Sequence, residues 1–128
     1  MIVLDTHAWL WWTSAPERLS GRARRALEEA AEIGLATISC WETAMLAARG
    51  RISLDRPVSA WIAQALAQPR LAALPLTAEL ALAAGLLDDR FPGDPADRMI
   101  YATARANRAG LVTKDAAIRA YDPRLTIW

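Results

Sequence analysis

Five carboxylates stand where this chain could build chemistry. Residues 91–101 read FPGDPADRMIY, with Asp94 and Asp97 three apart around Pro95 and Arg98 directly after. Asp5 follows the apolar Ile2-Val3-Leu4, Glu42 follows Ser39-Cys40-Trp41, and Asp115 follows Thr113-Lys114. Carboxylates brought within a few ångströms repel one another, and burying unpaired charge is costly. Arg98 or Lys114 offsets one charge but not a cluster. A hard divalent cation with oxygen ligands, Mg2+ or Mn2+, resolves the conflict and leaves positions open for a substrate phosphate. Such a site polarises a phosphoryl oxygen and activates water for in-line attack, so phosphodiester hydrolysis is the reaction it suits. His7, the one histidine, has no histidine or cysteine partner near it in sequence, which argues against zinc.

Whether the acids meet depends on the elements that carry them. Residues 2–4 form a strand candidate, and residues 7–12 are apolar and predicted helical. After a loop marked by Ser14, Pro16 and Gly21, residues 22–33 read as a helix with opposite charges at i,i+4 (Arg24–Glu28, Arg25–Glu29) and Gly34 as its C′ residue. Residues 35–38 follow as a strand. Ser39-x-x-Glu42 has the form of a capping box opening a helix to about Ala48, ended by Gly50. A helix from Pro57 or Val58 buries Val58, Trp61, Ile62, Ala65 and Leu66 on one face and stops at Pro69. Residues 71–76 are a strand that Pro75 moves to an edge or an end. Thr77 is an N-cap for residues 78–87; Pro95 forbids helix before itself and favours it after, over 96–109, with Gly110 as C′ residue. A strand at 111–113, a short helix at 115–120 and a strand at 125–128 complete the chain.

The order is β-α-α-β-α-α-β-α-α-β-α-β. It predicts one α/β domain over residues 1–128, with a central parallel sheet of about four to five short strands and helices on both faces. Residues beyond the carboxyl ends of parallel strands share one edge, where ligands bind. Asp5, Glu42 and Asp115 then face one crevice. Asp97 joins them because a helix returning to a parallel strand starts at that edge. Each acid also has a local explanation, since acids at helix N-termini are favoured by capping and by the dipole. Glu42 belongs to the capping box, Asp94 is an N-cap ahead of Pro95, Asp97 suits the third helical position, and Asp115 caps the short helix after it. A dipole supplies only about half a charge per end, which does not neutralise a cluster.

Composition bounds the rest. The chain has 128 residues, 54% of them hydrophobic, enough for a core without staples. No apolar run is long enough to span a bilayer, no basic leader opens the chain, and Cys40 alone excludes an internal disulfide; these features predict a cytoplasmic protein without a membrane role. A net charge of +1 gives no argument for nucleic acid. Lys114 is the only lysine, so the cations are arginines, which suit phosphate recognition or reflect nucleotide composition. Of six tryptophans, Trp9, Trp11 and Trp12 fall together. Large aromatics serve cores and interfaces alike.

With Asp5, Glu42, Asp97 and Asp115 in place, the sequence resembles the PIN-domain ribonucleases, and among them the VapC toxins of type II toxin–antitoxin systems. The likeness runs from IVLDTHAWLWW through TISCWETAMLAARGRI and FPGDPADRMIYATA to LVTKDAAI and the closing TIW. It implies a Mg2+- or Mn2+-dependent endoribonuclease. Asp5 and Asp97 match the two metal-holding aspartates; Glu42 and Asp115 match the acids that complete the pocket through metal-bound water. Asp94 matches a capping and supporting acid. Thr6, Ser39 and Thr113 would orient carboxylates or phosphate by their hydroxyls, and Arg98 would be an internal ion-pair partner. Ala96 stands where many members carry Phe. The resemblance also implies a homodimer and a VapB-type antitoxin whose C-terminal segment lies in an apolar groove and pushes an arginine toward the acids. Trp9, Trp11, Trp12, Trp41 and Trp61 are candidates for that groove or for the dimer face, with the core as the alternative. Two other readings compete. One is a PIN-type nuclease of RNA processing with no toxin role. The other is a phosphoacceptor receiver domain, which needs an aspartate where Leu74-Pro75-Leu76-Thr77 stands.

Overall fold

The computed structural model describes residues 1–128. Five short stretches, Ile2–Leu4, Ile33–Ala36, Leu71–Leu74, Gly110–Val112 and Thr126–Ile127, form β1 to β5 of one wholly parallel sheet. Its order is β3-β2-β1-β4-β5, so the chain steps outward from β1 to β3 and crosses back to the other side of β1 for β4 and β5. The helices between them are α1 (Thr6–Ser14), α2 (Gly21–Glu29), α3 (Ile38–Ala48), α4 (Val58–Leu66), α5 (Ala78–Gly85), α6 (Pro95–Ala106) and α7 (Ala116–Tyr121), with a 3-10 turn at Pro16–Arg18. Element order and fold class are those read from the sequence. No helix is long and apolar enough to cross a membrane.

The period-two alternation of the strands splits the buried residues into two cores. Leu4, Ile33, Leu35 and Val112 face Ala8, Trp9, Ala23, Leu27, Trp61 and Ala65 of α1, α2 and α4. Val3, Ala36 and Leu111 face Phe91, Ile100, Tyr101, Ala104 and Ile118, on α6, α7 and the loop before α6. α5 packs on the outside of α6.

Several local expectations are corrected. α2 ends at Glu29, and Gly34 sits inside β2 instead of closing that helix. A Cβ at Gly34 would come 2.6 Å from Leu74 Cδ1 and 3.3 Å from Val3 Cγ2, so the glycine makes room between neighbouring strands. Gly110 likewise lies in β4, where a Cβ would meet Ile127 Cδ1 at 2.7 Å; the left-handed residue after α6 is Arg108 (φ 51). Gly50, at φ 68, does follow α3 as expected. The Ser39–Glu42 capping box does not form. α3 begins at Ile38, Ser39 is fully buried and accepts a hydrogen bond from Thr6 Oγ1 at 3.0 Å, and Glu42 is the fifth residue of the helix. Thr77 does cap α5, accepting from Leu80 N at 3.1 Å.

Trp9 and Trp61, offered as interface candidates, are core residues: they are 0% and 5% exposed and pack edge to face with centroids 5.2 Å apart. Trp41 remains 57% exposed. Trp9→Ala should therefore cost about 3–5 kcal/mol of unfolding free energy, and Trp41→Ala less than about 0.5 kcal/mol. Urea titration followed by far-UV circular dichroism measures both; equal costs would contradict the division.

Candidate active site

Three helices start at the carboxyl edge of the sheet on an aspartate cap. Asp5 leaves β1, its backbone N–H bonded to Val112 O of β4 at 3.0 Å, and its Oδ1 accepts from Ala8 N at 2.8 Å to open α1. Asp115 leaves β4, and its Oδ1 accepts from Ile118 N at 2.9 Å to open α7. Asp94 Oδ1 accepts from Asp97 N at 3.0 Å, with Pro95 at the first helical position of α6. The local capping roles of these three are real. Glu42 and Asp97 cap nothing: Asp97 lies in the first turn of α6, where the dipole favours an acid, whereas Glu42, fifth in α3, has no such local explanation.

All five carboxylates line one cleft of about 520 Å3, together with Thr6, His7, Trp11, Arg51 and Lys114. Oxygens of Glu42, Asp94 and Asp97 lie within 4.8 Å of one another. Asp5 and Asp115 share the cleft outside that tightest set. Asp94 is thus more than the cap of α6: its carboxylate also stands in the closest group. Hard oxygens alone, at this spacing, could hold a divalent metal ion.

The electrostatics follow from the crowding. Burial, then Asp94, Glu42, Asp115 and Asp5 in turn, push Asp97 up to about 7. Burial also raises Asp5, opposed by hydrogen bonds from the Thr113 side chain and the Ala8 N–H and by the charge of His7. The Thr113 Oγ1 accepts from Asp115 N at 3.0 Å.

The other named residues separate. Thr6 and Ser39 bond to each other, buried beneath the cleft. Arg98 forms no ion pair, contrary to expectation. Its guanidinium donates to the carbonyls of Pro92 (3.1 Å), Leu87 (3.1 Å) and Ala84 (3.3 Å), with longer bonds to Asp88 and Phe91. It faces away from the acids and ties down the loop that leads into Asp94. Trp11 borders the cleft, whereas Trp12 lines a separate cavity with Pro16, Leu19 and Leu27. Arg51 was not singled out by the sequence reading. It follows Gly50 outside any periodic element, inside the stretch TISCWETAMLAARGRI that carries part of the likeness, but no capping or charge pattern marks it.

The fold and cleft define a class: a doubly wound parallel α/β domain with a cation-type acidic crevice at the strand ends where its connections diverge. The chain belongs to the PIN domain family, whose model matches residues 2–123. It is 43% identical over 129 residues to ribonuclease VapC22 of Mycobacterium tuberculosis, covering 99% of this chain and 98% of that one. Among solved structures it is similar to VapBC2 of Rickettsia felis bound to a promoter DNA fragment, with a TM-score of 0.70, 18% identity and 98% and 97% of the two chains covered. Mycobacterium tuberculosis VapC20, described as a sarcin–ricin-loop-cleaving toxin, superposes with a TM-score of 0.71 at 18% identity over 95% of each chain.

A raised carboxylate has a signed consequence. The folded chain keeps on Asp97 a proton that the unfolded chain releases between about pH 4 and pH 7, so stability falls as pH rises through that window. In chelator, the melting temperature should be higher at pH 5 than at pH 7.5. Asp97→Asn should flatten most of the slope, leaving a remainder from Asp5. A pH-independent melting temperature in the parent chain would show that the acids are not crowded.

Proposed function

We propose that this protein is a Mg2+- or Mn2+-dependent endoribonuclease and the toxin of a VapBC-type toxin–antitoxin pair. The observation that carries the reading is the convergence of Asp5, Glu42, Asp94, Asp97 and Asp115 in one cleft, on a chain 43% identical from end to end to a ribonuclease. Asp97 and Asp5 would hold the cation, with Glu42 and Asp115 completing the pocket through water. The oxygen spacing adds Asp94 beside Glu42 and Asp97. When bound, the cation would polarise a phosphoryl oxygen and lower the pKa of a water, so that the water can lose a proton and attack phosphorus.

The chain's own residues supply the rest. The Ala8 N–H and the Thr113 side chain favour the charged form of Asp5 against its burial. The Asp94 cap sets the start of α6 and so the direction of Asp97, and the carbonyl clamp of Arg98 holds the preceding loop against that start. An RNA strand is the substrate, a homodimer the assembly, the cytoplasm the setting, and residues 1–128 the single domain. A VapB-type antitoxin is the regulatory partner, a reading supported by the likeness to VapBC2 of Rickettsia felis. Trp11, Trp12 and Trp41 remain candidates for the faces such partners cover.

Asp97→Asn and Asp5→Asn should each cut the rate of RNA cleavage by at least about a hundredfold with the fold retained by circular dichroism. Chelation should abolish cleavage, and added Mg2+ or Mn2+ should restore it. Full activity in chelator would overturn the metal requirement, and full activity of both variants would overturn the site.

A further inference from the structure

Beside the acidic cleft lies a second cavity of about 430 Å3, and the two share His7, Trp11 and Arg51 in their walls. Their electrostatic character differs sharply. Five carboxylates line the first. None lines the second, whose charged groups are Arg18 and Arg51 beside the imidazole of His7. These cations are not spent on the acids. The only ion pairs in the structure are Arg56 with Asp55 and Arg90 with Asp88, so Arg18, Arg51 and Lys114 have no carboxylate within 4.0 Å. The Arg51 side chain makes no hydrogen bond either, although its backbone is fixed by a bond from its N–H to Leu46 O at 2.9 Å.

Trp11 stands at the junction of the two cavities. The Arg18 guanidinium lies 4.7 Å from its ring centroid and the Lys114 ammonium 5.5 Å from it. His7 and Trp128 brace the same ring at 5.8 Å and 5.9 Å. The Trp11 ring thus holds two cations that no carboxylate pairs, Arg18 and Lys114, beside the acidic cleft, where the phosphates of a nucleic-acid strand can reach them. A strand that must place one phosphate among five carboxylates is repelled there, and needs cations next door to bring it in.

We propose that the second cavity seats the RNA flanking the cleaved bond, with Arg51 and Arg18 on a neighbouring phosphate and Trp11 holding the Arg18 guanidinium in place. This rests on the ribonuclease reading and extends it to residues outside the acidic set. Arg51, which borders both cavities, is the positioning residue at the junction. Leu10, Ile52 and Leu54 also line this cavity, and RNA is favoured over an acidic peptide because His7, Trp11 and Arg51 form a common wall with the cleft where a phosphodiester must lie.

The test is fluorescence anisotropy with a fluorescein-labelled oligouridylate 12-mer, using the full chain carrying Asp97→Asn so that the probe is not cut. Adding Arg51→Ala or Arg18→Ala should weaken binding by roughly threefold to tenfold and lower the slope of log affinity against log salt by about 0.7 per cation removed. Arg51→Lys should restore the slope. Trp11→Leu, checked for an unchanged fold, should weaken binding with the slope unaltered, because it frees the Arg18 guanidinium without removing its charge. Arg56→Ala, in an exposed ion pair away from this cavity, should change neither. Unaltered affinity and slope in both arginine variants would overturn the proposal, as would no measurable binding by the Asp97→Asn chain itself. Cleavage by the wild-type chain, measured separately, tells the two readings apart. Cleavage with unmoved slopes removes only the flanking seat, whereas falling slopes without cleavage remove the ribonuclease reading and leave an RNA-binding groove.

Discussion

The bond from the Asp97 N–H to Asp94 Oδ1, 3.0 Å long, is the contact on which the geometry of the cleft turns. It fixes where α6 begins. Because the sheet is wholly parallel, a helix returning to β4 must begin at the carboxyl edge. A cap placed there aims the third helical residue at the same crevice that Asp5 and Asp115 reach from the ends of β1 and β4. Asp5 and Asp115 make the same kind of bond to Ala8 N and Ile118 N. Three helix N-termini, each carrying a partial positive charge, therefore converge on one place and make a crowd of carboxylates tolerable. They do not make it comfortable, as the raised Asp97 shows.

The scaffold holds that crowd by dividing its labour. β1 is central, paired with β2 on one side and β4 on the other, with Leu4 opposite both Leu35 and Val112. Its alternate residues lock into different cores, Leu4 into the tryptophan-rich one and Val3 into the one beneath α6. Asp5 thus hangs from a strand that neither layer can move alone. Arg98 does similar work for the other half of the cleft. An arginine beside a cluster of acids reads as their counter-charge, yet its five donors satisfy carbonyls of the last turn of α5 and of the α5–α6 loop, and Phe91, 2% exposed, plugs the core below. Spending that cation on backbone carbonyls leaves the five acids without an ion pair, which is the condition a cation-binding cleft needs.

The sequence disclosed periodicity and capping well, and shared space poorly. The order of strands and helices, the caps at Asp94, Thr77 and Asp115, and the meeting of the acids all follow from pattern and from the polarity of parallel sheets. Gly34 and Gly110 were misread because glycine after a helical pattern suggests a C′ residue. Both lie inside strands, where what matters is the approach of Leu74 and Ile127 from neighbouring strands, distant in sequence. Ser39 was misread for a related reason. S-x-x-E is a local signal, whereas the buried Thr6–Ser39 bond joins residues 33 apart. The tryptophans divide by tertiary burial, which a helical wheel on α1 does not reveal. Arg51 gave no signal because its position depends on a turn and on two cavities formed by other elements.

Losing the capping box strengthens the functional reading of Glu42. As a cap, Glu42 would have needed no further reason to be acidic. As the fifth residue of α3 it satisfies no orphan amide, yet it brings an oxygen within 4.8 Å of Asp94 and Asp97 and raises the proton affinity of Asp97. Nothing in the helix is gained by that charge, and the folded state bears its repulsion. A ligand that binds only the folded chain returns stability by mass action. A divalent cation is the species these hard oxygens suit, so cation binding and the stability of the acidic edge are one linked equilibrium. The cap at Asp94 enters that equilibrium twice, once through the start of α6 and once through its own carboxylate.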